Sequence, residues 1–274
     1  MNELKQRPAV THGFMSKVTI PITLQNATYF RSPYEQHRSL WRMFGEESDA
    51  NFLFREVGSM GHQHKTRTFL VVSARRPIHV EGFNITSRQY APRLRIGDSL
   101  EFSIRISVTS SKAAAPAGDQ NRMRGLKVDP IIAALHGHTS AEDRQRIRRM
   151  WLFPYSLEGS HEEVAPLLVS NWLVPRFTRH GVKVNTDKTV VNSYEPAGLM
   201  GFKNKGEHQI RFSVAEVSGE IMVVDPEALA NALFQGIGRG KGLGCGMLLV
   251  RRSRAGQAFA IGRVNQEESE EELP

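Results

Sequence analysis

Hydrophobic and polar positions alternate along several stretches of the chain, beginning with FMSKVTIPI at residues 14 to 22, a strand in which Pro21 marks the end or an edge position. The pattern then changes. In SPYEQHRSLWRMFG, residues 32 to 45, Ser32 is placed to cap a helix, Pro33 fits its first position, Glu35 completes a capping box and Gly45 supplies a stop. NFLFREV (51 to 57) and RTFLVVSARRPI (67 to 78) read as two strands joined by the polar loop GSMGHQHKT. The longest alternation is SLEFSIRISVTSS, residues 99 to 111, preceded by the turn signal Ile96-Gly97-Asp98. Strand, helix, two strands, a long connection and a further strand make most of a βαββαβ ferredoxin-like unit whose second helix is missing or degenerate.

The second half is less regular. After the turn-rich KAAAPAGDQNRMRG come a short Asp-capped helix, DPIIAALHG, and the basic helical segment SAEDRQRIRRMWLF, while residues 155 to 180 give no clean pattern. Short strands are expected between 182 and 212 with a loop at MGFKNKGE, followed by a hairpin turning at Val217-Ser218-Gly219-Glu220. DPEALANALFQGIG is a helix capped by Asp225 with Pro226 at its first position, and CGMLLVRR is a closing strand. This order predicts an α+β protein of two tandem ferredoxin-like domains. The expected division is an extension at 1–13, a first domain at 14–112, a linker at 113–125, a second domain at 126–255 with an insertion at about 140–180, and a C-terminal end at 256–274 with an acidic tail.

A length of 274 residues accommodates two such units. The net charge of +8 understates the basic character of the folded part, because QEESEEELP concentrates acid at the end; the surplus favours a polyanionic partner. Cys245 is the only cysteine, which excludes an intrachain disulfide and a multi-cysteine zinc site. No apolar run approaches the roughly 20 residues needed to span a bilayer, and MNELKQRPAV lacks an apolar signal core, so the chain reads as cytoplasmic with no membrane partner.

The stretch QGIGRGKGLGCG, Gln235 to Gly246, invites a nucleotide-binding reading that its spacing refuses. Gln235 stands where the phosphate-binding loop requires its first glycine, Gly242 stands where it requires Ser or Thr, and a helix precedes the loop where a strand is needed. A backbone-rich loop with Arg239 and Lys241 projecting from it suits an RNA backbone, or else simply tight helix–strand packing.

Four segments taken together, FMSKV, YEQHRSLWRMF, NFLFREV and QGIGRGKGLGCGMLL, resemble the CasE (Cse-type) CRISPR repeat endoribonuclease of type I-E Cascade, over most of residues 14 to 252. The resemblance implies two ferredoxin-like (RRM-like) domains, cleavage of precursor CRISPR RNA beside a repeat hairpin without metal or other cofactor, and retention of the guide RNA among other Cascade subunits. Residues ahead of the first strand, the acidic tail and the longer central region depart from a compact member; that insertion modifies hairpin recognition, contacts a Cascade subunit or docks an additional protein.

Metal-free RNA cleavage needs a base for the 2′-hydroxyl, an acid for the departing 5′-oxygen and donors for the phosphorane charge. Tyr34 and His37, three apart, share one face of the first helix, where the resemblance implies a catalytic Tyr-x-x-His pair. It makes His37 the general acid or base and Tyr34 its partner or the group orienting the 2′-hydroxyl. From the residues alone, His37 lies on a stripe with Leu40, Trp41 and Phe44 and fits a core-boundary histidine as well. RNA-binding candidates are Arg38 on that helix, Arg122, Arg124 and Lys127 after the linker, Arg144, Arg146, Arg148 and Arg149 on the basic segment, Lys203 and Lys205, and Gly238, Arg239, Gly240 and Lys241. His62 and His64 lack a partnered acidic or cysteine motif that would make them metal ligands, and Cys245 has no local histidine to activate it. The competing readings are a non-catalytic RNA-hairpin scaffold of the same fold and a basic single-stranded nucleic-acid binder.

Overall fold

The computed structural model describes residues 11–23, 26–30, 32–45, 51–58, 66–108, 161–203 and 208–253. The expected linker, the basic helical segment, the acidic tail, and Arg122, Arg124, Lys127, Arg144, Arg146, Arg148, Arg149, Lys205, His62 and His64 lie outside them, as does the side chain of Lys203.

Two four-stranded antiparallel sheets organise the chain. In the first, β1 (Gly13–Pro21) lies between β3 (Thr66–Ser73) and β4 (Asn84–Tyr90), with β2 (Phe52–Val57) outside β3. Helix α1 (Pro33–Trp41) joins β1 to β2 and buries Leu40 against Val18, Ile20, Phe54 and Phe69. The link from β3 to β4 carries no helix, so the expected loss of the second crossover helix is observed.

The fourth strand is not the expected one. NITSRQY, residues 84 to 90, completes the first sheet at its edge, where one partner strand suffices and only Ile85 is aliphatic, so alternation gave no sign of it. The strongly alternating segment instead opens the second sheet as β5 (Ser99–Ser107), and the two sheets are joined through residues 91–98 rather than through a linker beyond 112. Alternation in β5 specifies which residues face a core, namely Leu100, Phe102, Ile104 and Ile106, but not which sheet supplies the neighbours.

In the second sheet β5 lies between β7 (His208–Val223) and β8 (Leu248–Arg252), with β6 (Val182–Lys203) outside β7. Helix α2 (His161–Leu168) runs through a π-helical turn, Val169–Leu173, into α3 (Val174–Arg179), and α4 (Pro226–Gln235) joins β7 to β8. This is a complete βαββαβ unit with the same relative strand order as the first. Leu168, Trp172, Leu173 and Phe177 from the first crossover, with Leu229 and Leu233 of α4, cover the apolar face of β5.

No hairpin turns at Val217–Glu220. β7 runs straight through, and a Cβ on Gly219 would come within 2.8 Å of the Lys188 carbonyl oxygen, beside a register shift in β6 between Asn185 and Val190. The glycine therefore serves close backbone approach at an irregularity, not a turn. The short strands expected from 182 are one long strand, which continues with β7 beyond the last β5 partner, Val214, as a two-stranded arm whose final pair is Lys203–His208.

The modules pack directly on each other. Leu53 and Val72 of the first meet Phe234 and Met247 of the second, and the Phe234 ring lies 5.4 Å from that of Tyr90. Beside this apolar seam Arg55 donates to Ser103 Oγ at 3.0 Å and to Glu216 Oε2 at 2.5 Å, while Arg105 Nε approaches Glu216 Oε1 at 3.7 Å.

Candidate active site

Helix α1 begins where its sequence signals place it. Ser32 is extended (φ −151°, ψ 157°) and its Oγ accepts from the Glu35 amide at 3.3 Å, with Pro33 at the first helical position. The helix is held to the sheet by a polar link as well as by Leu40: buried Gln36 donates to Glu56 Oε2 at 3.2 Å, and Arg67 donates to Glu56 Oε1 at 2.6 Å.

This arrangement fixes His37. Its imidazole stacks on Phe52 with centroids 4.9 Å apart and planes 23° apart, and Trp41 meets it at 5.6 Å, edge to face. Burial lowers its pKa from the usual 6.5, which favours the neutral imidazole. Tyr34, one turn earlier, is 44% exposed. Arg38 points to solvent with Glu35 at 4.0 Å, an ion pair of little energetic weight.

The glycine-rich loop between α4 and β8 belongs to the other module, yet it reaches His37. Ile237 donates to the Gly246 carbonyl at 2.8 Å, and Gly246 donates to the Arg105 carbonyl at 2.7 Å, which secures the loop to β5. Between these anchors a single 3-10 turn, Lys241–Leu243, passes α1. A Cβ built on Gly242 would lie 3.8 Å from both Nδ1 and Cε1 of His37. At the other end Gly238 has φ +84°, and a Cβ there would come within 2.9 Å of the Trp172 ring, so this position requires glycine twice over. A Cβ on Gly240 would lie 3.3 Å from that of Ser107. Arg239 is exposed and Lys241 partly so.

His37 and the loop, separate features in the sequence, are thus brought to one place. Arg176, Arg179 and His180, which sequence reasoning passed over in the patternless stretch of 155 to 180, lie in the loop's electrostatic neighbourhood. Burial lowers the pKa of Arg176, assisted by Arg179 and Arg239; burial also lowers that of His180, assisted by Arg179 and Lys241. The signal available in sequence was the basic triplet Arg176, Arg179 and His180 at helical spacing.

Cys245 is enclosed beneath the same loop. Burial pushes its thiol up to about 12, which removes it as a nucleophile. Among the described residues no three His, Cys, Asp or Glu side chains gather as a metal site, and no helix is long and apolar enough to cross a membrane.

The sequence matches the profile of the family described as CRISPR associated protein over residues 14–252, both modules included. The chain belongs to that family. Among solved structures of this CRISPR-associated kind, Cse3 of Thermus thermophilus bound to an RNA representing a pre-cleavage complex aligns with a TM-score of 0.58 and 18% identity, covering 87% of this chain and 99% of the other. The CRISPR endoribonuclease Cse3 bound to a 19-nucleotide RNA gives 0.56 at 18% identity, covering 87% and 100%. A chain of a CRISPR RNA-guided surveillance complex gives 0.54 at 17%, covering 88% and 100%. At these identities the likeness establishes the tandem ferredoxin-like fold. No curated protein matched the sequence itself.

Proposed function

We propose that the protein is a metal-independent endoribonuclease that cleaves precursor CRISPR RNA at its repeat hairpin and stays on the product as a subunit of a Cascade-type complex in the cytoplasm. The observation that carries this reading is the position of His37: a half-buried imidazole presented by α1, at the seam of two RRM-like modules and facing a cationic glycine loop. Membership of the CRISPR-associated family and the RNA-bound state of its structural neighbours support the substrate class.

The lowered pKa of His37 favours the role of general base, because the neutral form that takes a proton is the abundant form at neutral pH. His37 removes the proton of the 2′-hydroxyl, the 2′-oxygen attacks the adjacent phosphorus, and the bond to the 5′-oxygen breaks. Tyr34, on the same helical face and open to solvent, donates its phenolic proton to that oxygen. The products are a 2′,3′-cyclic phosphate and a 5′-hydroxyl. Loop amides and Lys241 stabilise charge on the phosphorane.

The test is cleavage of the repeat RNA encoded beside the gene, in chelator, by wild type, His37→Ala and Tyr34→Phe. Cyclic-phosphate product that disappears in His37→Ala while RNA binding persists is expected. Undiminished cutting by that variant would remove His37 from the mechanism, and binding without cutting by wild type would make the protein a hairpin-binding scaffold.

A further inference from the structure

The glycine loop has two ends, and only one of them faces His37. The other rests on the helical crossover of the second module. Gly238 lies against the Trp172 ring, and Arg176 sits above that ring with its guanidinium carbon 4.3 Å from the centroid while donating to the Trp172 carbonyl at 3.1 Å. The π-helical turn Val169–Leu173 buries Trp172 beneath the loop one turn before Arg176. Arg179, one turn further on, is exposed and donates through Nε to the Pro175 carbonyl at 3.0 Å, a bond that does not use its terminal nitrogens.

Resting on the proposed ribonuclease function, we infer that Arg176 and Arg179 of α3, together with Arg239 of the loop, form a second phosphate seat, which holds the RNA backbone away from the phosphate cut at His37. Three observations favour an anion there. The arginines come from two elements that packing forces together. Stacking and a main-chain hydrogen bond fix Arg176 before any ligand arrives, which reduces the ordering cost of binding. Like charges crowd the place: Arg179 and Arg239 both act to lower Arg176, and Arg179 and Lys241 both act to lower His180. Such mutual repulsion is unfavourable in the free protein and is relieved when a phosphodiester lies among the guanidinium groups. Because the same short span of loop carries Gly238 at this seat and Gly242 at His37, a strand crossing the loop meets both.

The experiment compares Arg176→Gln/Arg179→Gln with the parent protein, both in a His37→Ala background that keeps the repeat RNA intact, by filter binding from low to moderate salt. A roughly tenfold weaker Kd is expected, with the slope of log K against log salt reduced by about 0.7–0.9 for each phosphate no longer neutralised. In the active background, cleavage at protein concentrations below the wild-type Kd should slow in step with the weaker binding. Unchanged affinity and salt slope would overturn the inference and leave these arginines as helix packing. Arg179 and Arg239 are exposed, so Arg179→Gln/Arg239→Gln carries the same test if the change at Arg176 prevents folding. If wild type neither binds nor cuts the repeat RNA, the ribonuclease reading itself fails; normal cutting by wild type with no effect of the variants rejects the second seat alone.

Discussion

At the scale of single residues the site turns on how burial tunes two side chains. His37 loses solvent to Phe52 and Trp41, so protonation is disfavoured and its pKa falls below 6.5. For a base this widens the active range. Single-turnover cleavage should fall to half its plateau only at a pH below 6.5; a rate that fell as pH rose through the same region would instead make His37 the acid. The same shift makes a small contribution to stability that is present above pH 6.5 and lost as pH falls through the folded-state value, since the unfolded chain takes up the proton more readily. Cys245 shows the opposite sign: a thiol raised to about 12 should resist iodoacetamide in the native protein and react once urea unfolds it. The Tyr34/His37 spacing was visible in the sequence because three residues on a capped helix define a face without further information. What lies across from that face, Gly242, was not visible, because 205 positions separate the two and no local pattern encodes the meeting.

Helix α1 and the glycine loop show which elements local chemistry could specify. Caps at Ser32 and Asp225 are visible because the capping side chain and the amides it serves are neighbours in sequence; both form as expected. Strand β4 and the irregularity at Gly219 were missed because one is a polar edge strand and the other answers to a neighbouring strand. Two predictions belong here. Glu56→Ala should cost about 1–3 kcal/mol in urea unfolding, because Gln36 is buried and loses its carboxylate partner; its cleavage rate should fall as α1 loosens. In the loop, the two glycines should separate structure from chemistry. Gly238→Ala combines positive φ with a clash against Trp172 and should destabilise by more than about 1 kcal/mol. Gly242→Ala has ordinary backbone and ordinary contact distance, so stability should hold while the added methyl beside His37 slows cleavage of bound RNA.

Among the described residues the two modules, of the same topology, meet through an apolar seam and a polar cluster in which Arg55 reaches Ser103 and Glu216. Glu216, partly buried between Arg55 of the first module and Arg105 of the second, holds charge from both sides. Glu216→Gln should cost about 1–3 kcal/mol, measured by urea unfolding, and should slow cleavage although the residue is remote from any reacting atom. The tandem architecture is legible from element order, but the boundary is not, because a strongly alternating strand looks the same in either sheet. Its membership of the second sheet is decided by long-range pairing with β7 and β8.

One consequence of the loop's anchorage extends past binding. Gly246 is pinned to β5 and Gly238 to Trp172, both in the second module, whereas the imidazole opposite Gly242 is carried by the first. Since displacements near 1 Å can cost about a hundredfold in rate, the speed of cutting acts as a ruler laid across the gap between the two sheets. Turnover will register a change in their spacing more steeply than a melting curve does, so conservative substitutions at seam residues such as Leu53, Arg55, Glu216 and Met247 should slow cleavage by more than their loss of stability accounts for.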